Sequence, residues 1–324
     1  MRLKLVPKET NFDFFRYRTV TMGASIAAVV ASILLWLVVG LNFGIDFRGG
    51  TTIRTEAVQQ VDVGAYRQAV SALDLGEVSV IEVFDPNFRD DQNVTLIRIQ
   101  AQEGQESVTG AIITDVEAAL KDVDTSIEFT SVDSVGPKVS GELVQTAILA
   151  VASALAAILI YIWLRFEWQF SVGAVAALFH DVILTIGIFS LLQIRFDLST
   201  IAALLTIVGY SINDTVVIFD RLRENLRKYK TTPLKDVMNT SVNETLSRTL
   251  MTSGTTLLAL IALLAFGGDV IRGFVFAITW GVIVGTYSSV YVAKNVVLML
   301  GVKRDWSKPS DGGGAGTQFA NVDA

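Results

Sequence analysis

The sequence predicts a polytopic α-helical membrane protein, with six spanning helices and one folded α+β domain inserted between the first and second. Three observations carry that expectation. With a mean hydropathy of +0.50, 51% hydrophobic residues and 18% charged residues, the 324-residue chain is too apolar for an ordinary soluble domain. Its apolar residues concentrate in six windows of roughly 20 residues, the length that crosses a hydrocarbon core of about 30 Å. Between the first two windows the apolar spacing changes to the alternating and 3.6-residue periods of soluble strands and helices.

The first window, 20–40, follows a 19-residue segment holding Arg2, Lys4, Lys8, Arg16 and Arg18. It runs into Asn42-Phe-Gly-Ile-Asp without a small-residue cleavage site, which reads as an uncleaved anchor rather than a signal peptide. The inserted domain, 41–142, opens with a strand at Thr51–Glu56. A helix at Asp62–Leu73 is spaced through Val63, Tyr66, Val70 and Leu73. Strands at Val78–Phe84 and Val94–Ile99 flank the turn residues Pro86-Asn87 and Asp90-Asp91. A helix through Val108, Ile112, Val116 and Leu120 and a strand at Ile127–Val132 complete the order β-α-β-β-α-β, that of the ferredoxin-like split motif. The domain has no histidine and no nucleophile–base pair, which points to binding or mechanical work.

Five more windows follow at 143–164, 170–192, 198–219, 250–267 and 273–297, within a helical region ending near 300. Trp36, Trp163, Trp168 and Trp280 are expected near span ends, where indole rings favour the interface. Within the 221–249 loop, Thr232-Pro233 reads as N-cap and first helical residue. Leu234, Val237, Met238, Val242 and Leu246 share one face, predicting an amphipathic helix over 231–246 lying along the membrane surface. The 301–324 tail is polar and glycine-rich from about 311, predicting disorder there.

Basic residues predict which side each loop occupies. The 221–249 loop holds seven bases against three acids, and the C-terminal end adds Lys294, Lys303, Arg304 and Lys308. The short loops that must lie opposite hold only Arg195 and Arg272. Both termini are therefore expected in the cytoplasm and the 41–142 domain outside, which in a two-membrane bacterium is the periplasm. That domain has 18 acids against 7 bases, which makes nucleic acid an unsuitable partner.

The absence of cysteine removes disulfides, thiolate metal sites and thiol nucleophiles. A single histidine and no phosphate-binding Gly-x-x-x-x-Gly-Lys-Ser/Thr loop leave no expected metal, cofactor or nucleotide. What remains is charge inside the membrane, where a carboxylate costs about 2.5–3.5 kcal/mol on insertion scales. Two places qualify. Asp214 lies in the polar run Tyr210-Ser-Ile-Asn-Asp-Thr215, with Thr206, Tyr210 and Asp214 at i, i+4 and i+8 on one face. Arg248, followed on its own face by Thr252 and Thr255, opens the next span as a partner for Asp214. Pairing that alternates with protonation would couple proton flow to helix movement; equally, Asn213, Asp214 and Arg248 would serve as a structural polar clasp. The second place is His180-Asp181, adjacent residues that point about 100° apart and so are not expected to face one partner. It reads first as a structural pair, although Asp181 is about 11 residues into its span and nearer the midplane than Asp214. Gly281 and Gly285, continued by Ser288 and Ser289, predict close helix packing. The glycines of Phe43-Gly-Ile-Asp-Phe-Arg-Gly-Gly-Thr51 suit a turn out of the membrane, but the alternation Phe-Asp-Phe-Arg has no explanation at this level.

Several blocks resemble the SecF family, membrane subunits of the bacterial protein-export machinery within the resistance-nodulation-division superfamily. They are Phe43–Thr51, Val135-Gly-Pro-Lys-Val-Ser-Gly-Glu-Leu143, Phe179-His-Asp181, Val208–Arg221 and Ser247–Thr256. The resemblance runs from about Phe12 to Arg304. Gly-Ile-Asp-Phe alone is shared with the sister SecD family, and Ser140 stands where many relatives have glycine. The chain's length and its single modest outside domain favour SecF over SecD or a fused SecDF. The resemblance implies a six-span SecD partner, association with the SecYEG channel in the inner membrane, and unfolded preprotein as substrate. It also implies use of the proton-motive force, with Asp214 and Arg248 as the relay pair. Asn213, Tyr210, Thr206, Thr252, His180 and Asp181 are candidate supporting residues. The alternatives are half of a small-molecule or lipid exporter of the same superfamily, and a non-conducting scaffold; an enzyme is not expected.

Overall fold

The computed structural model describes residues 10–76, 78–83, 85, 88–89, 91–100 and 109–302. The basic residues before Thr10, the turn residues Pro86, Asn87 and Asp90, the helix position Val108 and the polar tail lie outside the described residues. Among those described, six helical segments are long and apolar enough to cross a membrane.

Helix α1 (Arg18–Val38) runs toward the inserted domain. It is followed by a two-residue strand β1 (Asn42–Phe43) and the single-turn α2 (Ile45–Arg48). At the end of that turn Gly49 and Gly50 have φ of 74° and 130°, backbone that side chains resist, so the paired glycines are required by geometry. The domain then comprises β2 (Gly50–Ala57), α3 (Val63–Ser71), β3 (Val78–Val83), β4 (Asn93–Gln100), α4 (Gly110–Lys121) and β5 (Glu128–Val135). These strands form one antiparallel sheet in the order β3-β4-β2-β5, with Ile53 opposite both Ile97 and Val132. Alternation along β4 buries Ile97 and Ile99 against Tyr66 and Val70 of α3 and Val116 and Leu120 of α4, so both helices cover one face. Asp62 caps α3 through Ala65 N (3.0 Å), and Asp124 ties the layers by accepting from Tyr66 Oη (3.2 Å) and from Ser126 N and Oγ (2.8 and 2.7 Å).

The remaining spans are α5 (Pro137–Arg165), α6 (Trp168–Leu192), α7 (Leu198–Lys228) after the short strand β6 (Arg195–Phe196), and α8 (Leu234–Phe266). The sixth is composite: α9 (Asp269–Ser288), a π-helical turn at Ser289–Ala293, and α10 (Lys294–Leu300). Three expectations are corrected here. The amphipathic segment over 231–246 is not a separate surface helix but the first turns of α8, continuous for 33 residues. Its apolar face, with Val237, Met238 and Val242, packs into the bundle core beside Leu222 and Leu226 of α7. Pro233 itself stands at the N-cap position, with Leu234 first in the helix. Trp280 lies well inside the sixth span with its indole Nε1 buried, whereas Trp36, Trp163 and Trp168 are exposed toward span ends.

Spans α6 and α7 form the middle of the bundle: 44% of each apolar window is buried, against 11% for α1, α5 and α8. Small residues allow the close approach. A Cβ on Gly281 would collide with Ile207, and one on Gly187 with Ser32 of α1. The Phe-Asp-Phe part of the unexplained Phe-Asp-Phe-Arg alternation also finds its cause. Phe43 and Phe47 ring-pack with Phe196 (centroids 5.9 Å apart in each pair), β1 pairs in parallel with β6, and Asp46 Oδ2 accepts from Leu198 N (2.9 Å) at the start of α7. The exit of the first span is thus fastened to the α6–α7 connection.

Candidate functional site

Helix α7 starts firmly, with Asp197 and Thr200 forming a reciprocal capping box. It continues to Lys228, so Asp214 stands near its midpoint rather than toward its end. Asp214 is buried, 4% exposed, and its Oδ2 has no hydrogen-bond partner. Ser253 of α8 lies alongside, its Oγ 2.7 Å from Thr286 Oγ1 of α9. Arg248 is one turn earlier on α8, exposed, and its charge acts on Asp214. Among the described residues no Arg248 nitrogen comes within the 4.0 Å of an ion pair with it. The site thus sets an orphaned buried carboxylate oxygen within electrostatic reach of a guanidinium that forms no ion pair with it.

The other predicted residues divide. Tyr210 Oη reaches Thr256 Oγ1 of α8 (3.3 Å), while Thr206 and Thr252 give their hydroxyls to backbone oxygens of Ala202 and Arg248 (2.8 and 2.9 Å). No hydrogen bond therefore links Thr206 or Tyr210 to Asp214. Asn213, Thr206 and Thr255 are exposed at the side of α7 and α8. Toward the terminal side of the bundle the same two helices are clasped by Arg221 Nε to Glu244 (2.6 Å) and Asn225 Nδ2 to Glu244 (2.6 Å).

His180 and Asp181 form the pair read from the sequence, but, contrary to expectation, they face one partner helix. Their side chains bond to each other, Nδ1 to Oδ1 at 3.0 Å, and both face α9: Asp181 Oδ2 accepts from Ser288 Oγ (2.8 Å), and the His180 ring stacks on Tyr287 (centroids 6.1 Å). The 100° separation is bridged because two adjacent residues of α9, Tyr287 and Ser288, receive the two side chains. Asp181 Oδ2 also accepts from Ser211 Oγ of α7 (2.6 Å). Ser211 and Ser288 were absent from the predicted set. Ser211 belongs to the polar run around Asp214, and Ser288 to the small-residue run of α9, and each reads as packing until a carboxylate is placed beside it.

A further group escaped prediction. Residues Thr10–Phe15 lie across the terminal side, where Asn243 and Asn239 of α8 exchange hydrogen bonds with the backbone of Phe12 and Phe14 (2.8–2.9 Å). Lys294, counted above as a flanking charge, is buried there instead, its Nζ 4.2 Å from the Phe15 ring centroid and 4.8 Å from that of Phe14.

Comparison with known proteins assigns the chain. Residues 115–303 match the family described as protein export membrane protein SecD/SecF, C-terminal, and residues 34–61 match the SecD/SecF GG motif, which contains the paired glycines above. The protein translocase subunit SecF of Cereibacter sphaeroides is 67% identical over 323 residues, covering 100% of this chain and 99% of the relative. That of Rhodobacter capsulatus is 62% identical, covering 96% of each. The SecDF of Brucella abortus is 39% identical over 93% of this chain but only 39% of the relative. The crystal structure of SecDF, a translocon-associated membrane protein, from Thermus thermophilus aligns with a TM-score of 0.82 at 34% identity, over 93% of this chain and 40% of that one. The chain therefore spans about two fifths of the solved protein it matches. On the whole-length identity, the matched family and the shared fold, this chain belongs to the SecF family of protein translocase subunits.

Proposed function

We propose that the chain couples proton movement to the late translocation and release of preproteins, acting with a SecD subunit at the SecYEG channel. The observation that carries the proposal is the unpartnered Oδ2 of buried Asp214 within electrostatic reach of exposed Arg248. A proton on Asp214 removes the charge that favours Arg248, and its loss restores it, so the balance between α7 and α8 follows the gradient. Support for a second bundle comes from the exposed polar residues Thr206, Asn213, Arg248 and Thr255 on these spans. Polar groups at such positions need protein or water against them rather than lipid. The fused SecDF relatives, of which this chain covers about two fifths, fit a SecD half of similar plan in that place.

In this reading the termini are cytoplasmic, the 41–142 domain is periplasmic, and the membrane is the bacterial inner membrane. The domain is a ferredoxin-like split βαββαβ fold; its strand order and its two helices on one face support this. The test is preprotein release in the assembled complex, with and without a proton gradient. Asp214→Asn and Arg248→Leu are expected to abolish the gradient-dependent part while leaving assembly intact. Unchanged gradient dependence in Asp214→Asn would establish a non-conducting polar clasp instead, and purification without SecD or the channel would favour an exporter half.

A further inference from the structure

Asp181 is the most enclosed carboxylate in the described bundle, 1% exposed, and the proposed coupling draws only on Asp214 and Arg248. Its two oxygens are nonetheless fully engaged: Oδ2 takes the hydroxyls of Ser211 on α7 and Ser288 on α9, and Oδ1 faces His180 Nδ1. An ionised carboxylate only accepts, so this set of donors suits it. The other ring nitrogen of His180, Nε2, is buried without a partner. The arrangement has space made for it. A Cβ on Gly285 would lie 3.1 Å from Ser211 Cβ and 3.5 Å from Asp181 Oδ2.

One helical turn beyond Ser211, Thr215 Oγ1 meets Ser289 Oγ (2.9 Å), so α7 is held at two successive turns, directly by Ser289 and through Asp181 by Ser288. Asp214 lies between those two anchors in sequence. On a helix with 3.6 residues per turn it points about 60° from Ser211 and about 100° from Thr215, toward α8. A rotation of α7 that broke the Ser211 bond would swing Asp214 with it. An apolar contact would pack the helices without burying a polar group, so the directed hydrogen bonds of Asp181 supply direction rather than mere cohesion.

We propose that Asp181 is a positioning residue: held between Ser211 and Ser288, it sets the rotation of the fourth span and so the direction in which Asp214 meets Arg248. This rests on the proton-coupling reading above. Four variants test it in the assembled complex: Asp181→Leu, Asp181→Asn, the double change Ser211→Ala/Ser288→Ala, and Asp214→Asn as reference. Two quantities are read: gradient-dependent preprotein release per assembled complex, and disulfide formation between Thr215→Cys and Ser289→Cys, which is clean because the chain has no cysteine.

Since misplacement by about 1 Å can cost on the order of 10²-fold in a positioned reaction, Asp181→Leu and the double serine change should each lower release per complex at least about tenfold and weaken the cross-link. Asp181→Asn, whose amide oxygen accepts both hydroxyls, should restore both to within about threefold of wild type. If the Asp181 and serine variants change only the amount of complex, while Asp214→Asn abolishes gradient dependence, the positioning role is overturned and the relay stands. If Asp214→Asn itself leaves gradient dependence intact, the relay reading falls and takes this role with it.

Discussion

At the residue scale, the bundle is decided by a few side chains whose size or charge has no substitute. Gly281 abuts Ile207 with no room for a methyl group, whereas a Cβ added at Gly23 or Gly141 would meet nothing within 4 Å. Gly281→Ala should therefore destabilise by about 1–3 kcal/mol through overpacking, and Gly141→Ala should change little; thermal unfolding in detergent measures both. In the soluble domain the Tyr66–Asp124–Ser126 cluster carries a pH signature. Burial, reinforced by the Asp124 charge and hydrogen bond, pushes the Tyr66 hydroxyl up to about 12. Its stabilising effect is thus complete below the ordinary tyrosine value of 10.0 and is lost as pH rises through about 12. Burial alone would raise Asp124, but the Ser126 and Tyr66 bonds outweigh it and hold the carboxyl below its usual 3.8. That contribution is present above pH 3.8 and disappears as acid protonates the folded group. Tyr66→Phe should flatten the alkaline limb of domain unfolding and leave most of the acid limb, followed by circular dichroism. Aspartate in a polar run was legible from sequence; the bonds of Ser211 and Ser288 to Asp181 were not, because a hydroxyl on an apolar helix looks the same whether it back-bonds, as Thr206 does, or meets a carboxylate, as Ser211 does.

At the element scale, α8 shows why a periodicity reading stops short. The apolar face over 234–246 has the spacing of a surface helix, and the spacing is the same whether the face meets lipid headgroups or Leu222 and Leu226 of α7. Its polar residues then gain a task. Asn239 and Asn243, one turn apart, hold the backbone of the N-terminal segment as a sheet neighbour would, and Lys294 enters the aromatic cluster beneath it. Replacing both asparagines by alanine should release the Phe12 and Phe14 amides. At about 1 kcal/mol for each net hydrogen bond, their hydrogen exchange should speed up by roughly fivefold or more, read by mass spectrometry on the full chain. The segment order β-α-β-β-α-β was readable because period-2 and period-3.6 stretches alternate cleanly there; that Asp46 and Phe47 would serve the start of α7, about 150 residues away, was not, since neither propensity nor period encodes a distant partner.

At the scale of the whole molecule, the uneven distribution of charge predicts an orientation that labelling can check. Cysteines placed at the exposed Lys121 of α4 and the exposed Lys228 at the end of α7 enter an otherwise cysteine-free chain. In intact inner-membrane spheroplasts the first should react with an impermeant maleimide and the second only after permeabilisation; the reverse pattern would invert the assignment. The exposed polar side of α7 and α8 makes a further prediction at this scale. Asn213→Trp, exposed on α7 and about 100° around the helix from buried Asp214, should weaken retention of SecD on affinity purification while leaving the thermal stability of this chain close to wild type.

Composition, window length and charge placement were enough to predict six spans and an inserted α+β domain, and to single out Asp214, Asp181 and Arg248 as candidates inside the membrane. These are properties of segments: hydrophobic length, period and local charge act within one stretch of chain and need no knowledge of its neighbours. Tertiary structure alone decided which side chains meet. It brought Ser211 and Ser288 onto Asp181, left one oxygen of Asp214 without a partner, kept Arg248 apart from it, and buried Lys294 among rings. The physical reason is that hydrogen bonds and close packing depend on rotations and offsets of whole helices, which are set by every contact in the bundle at once.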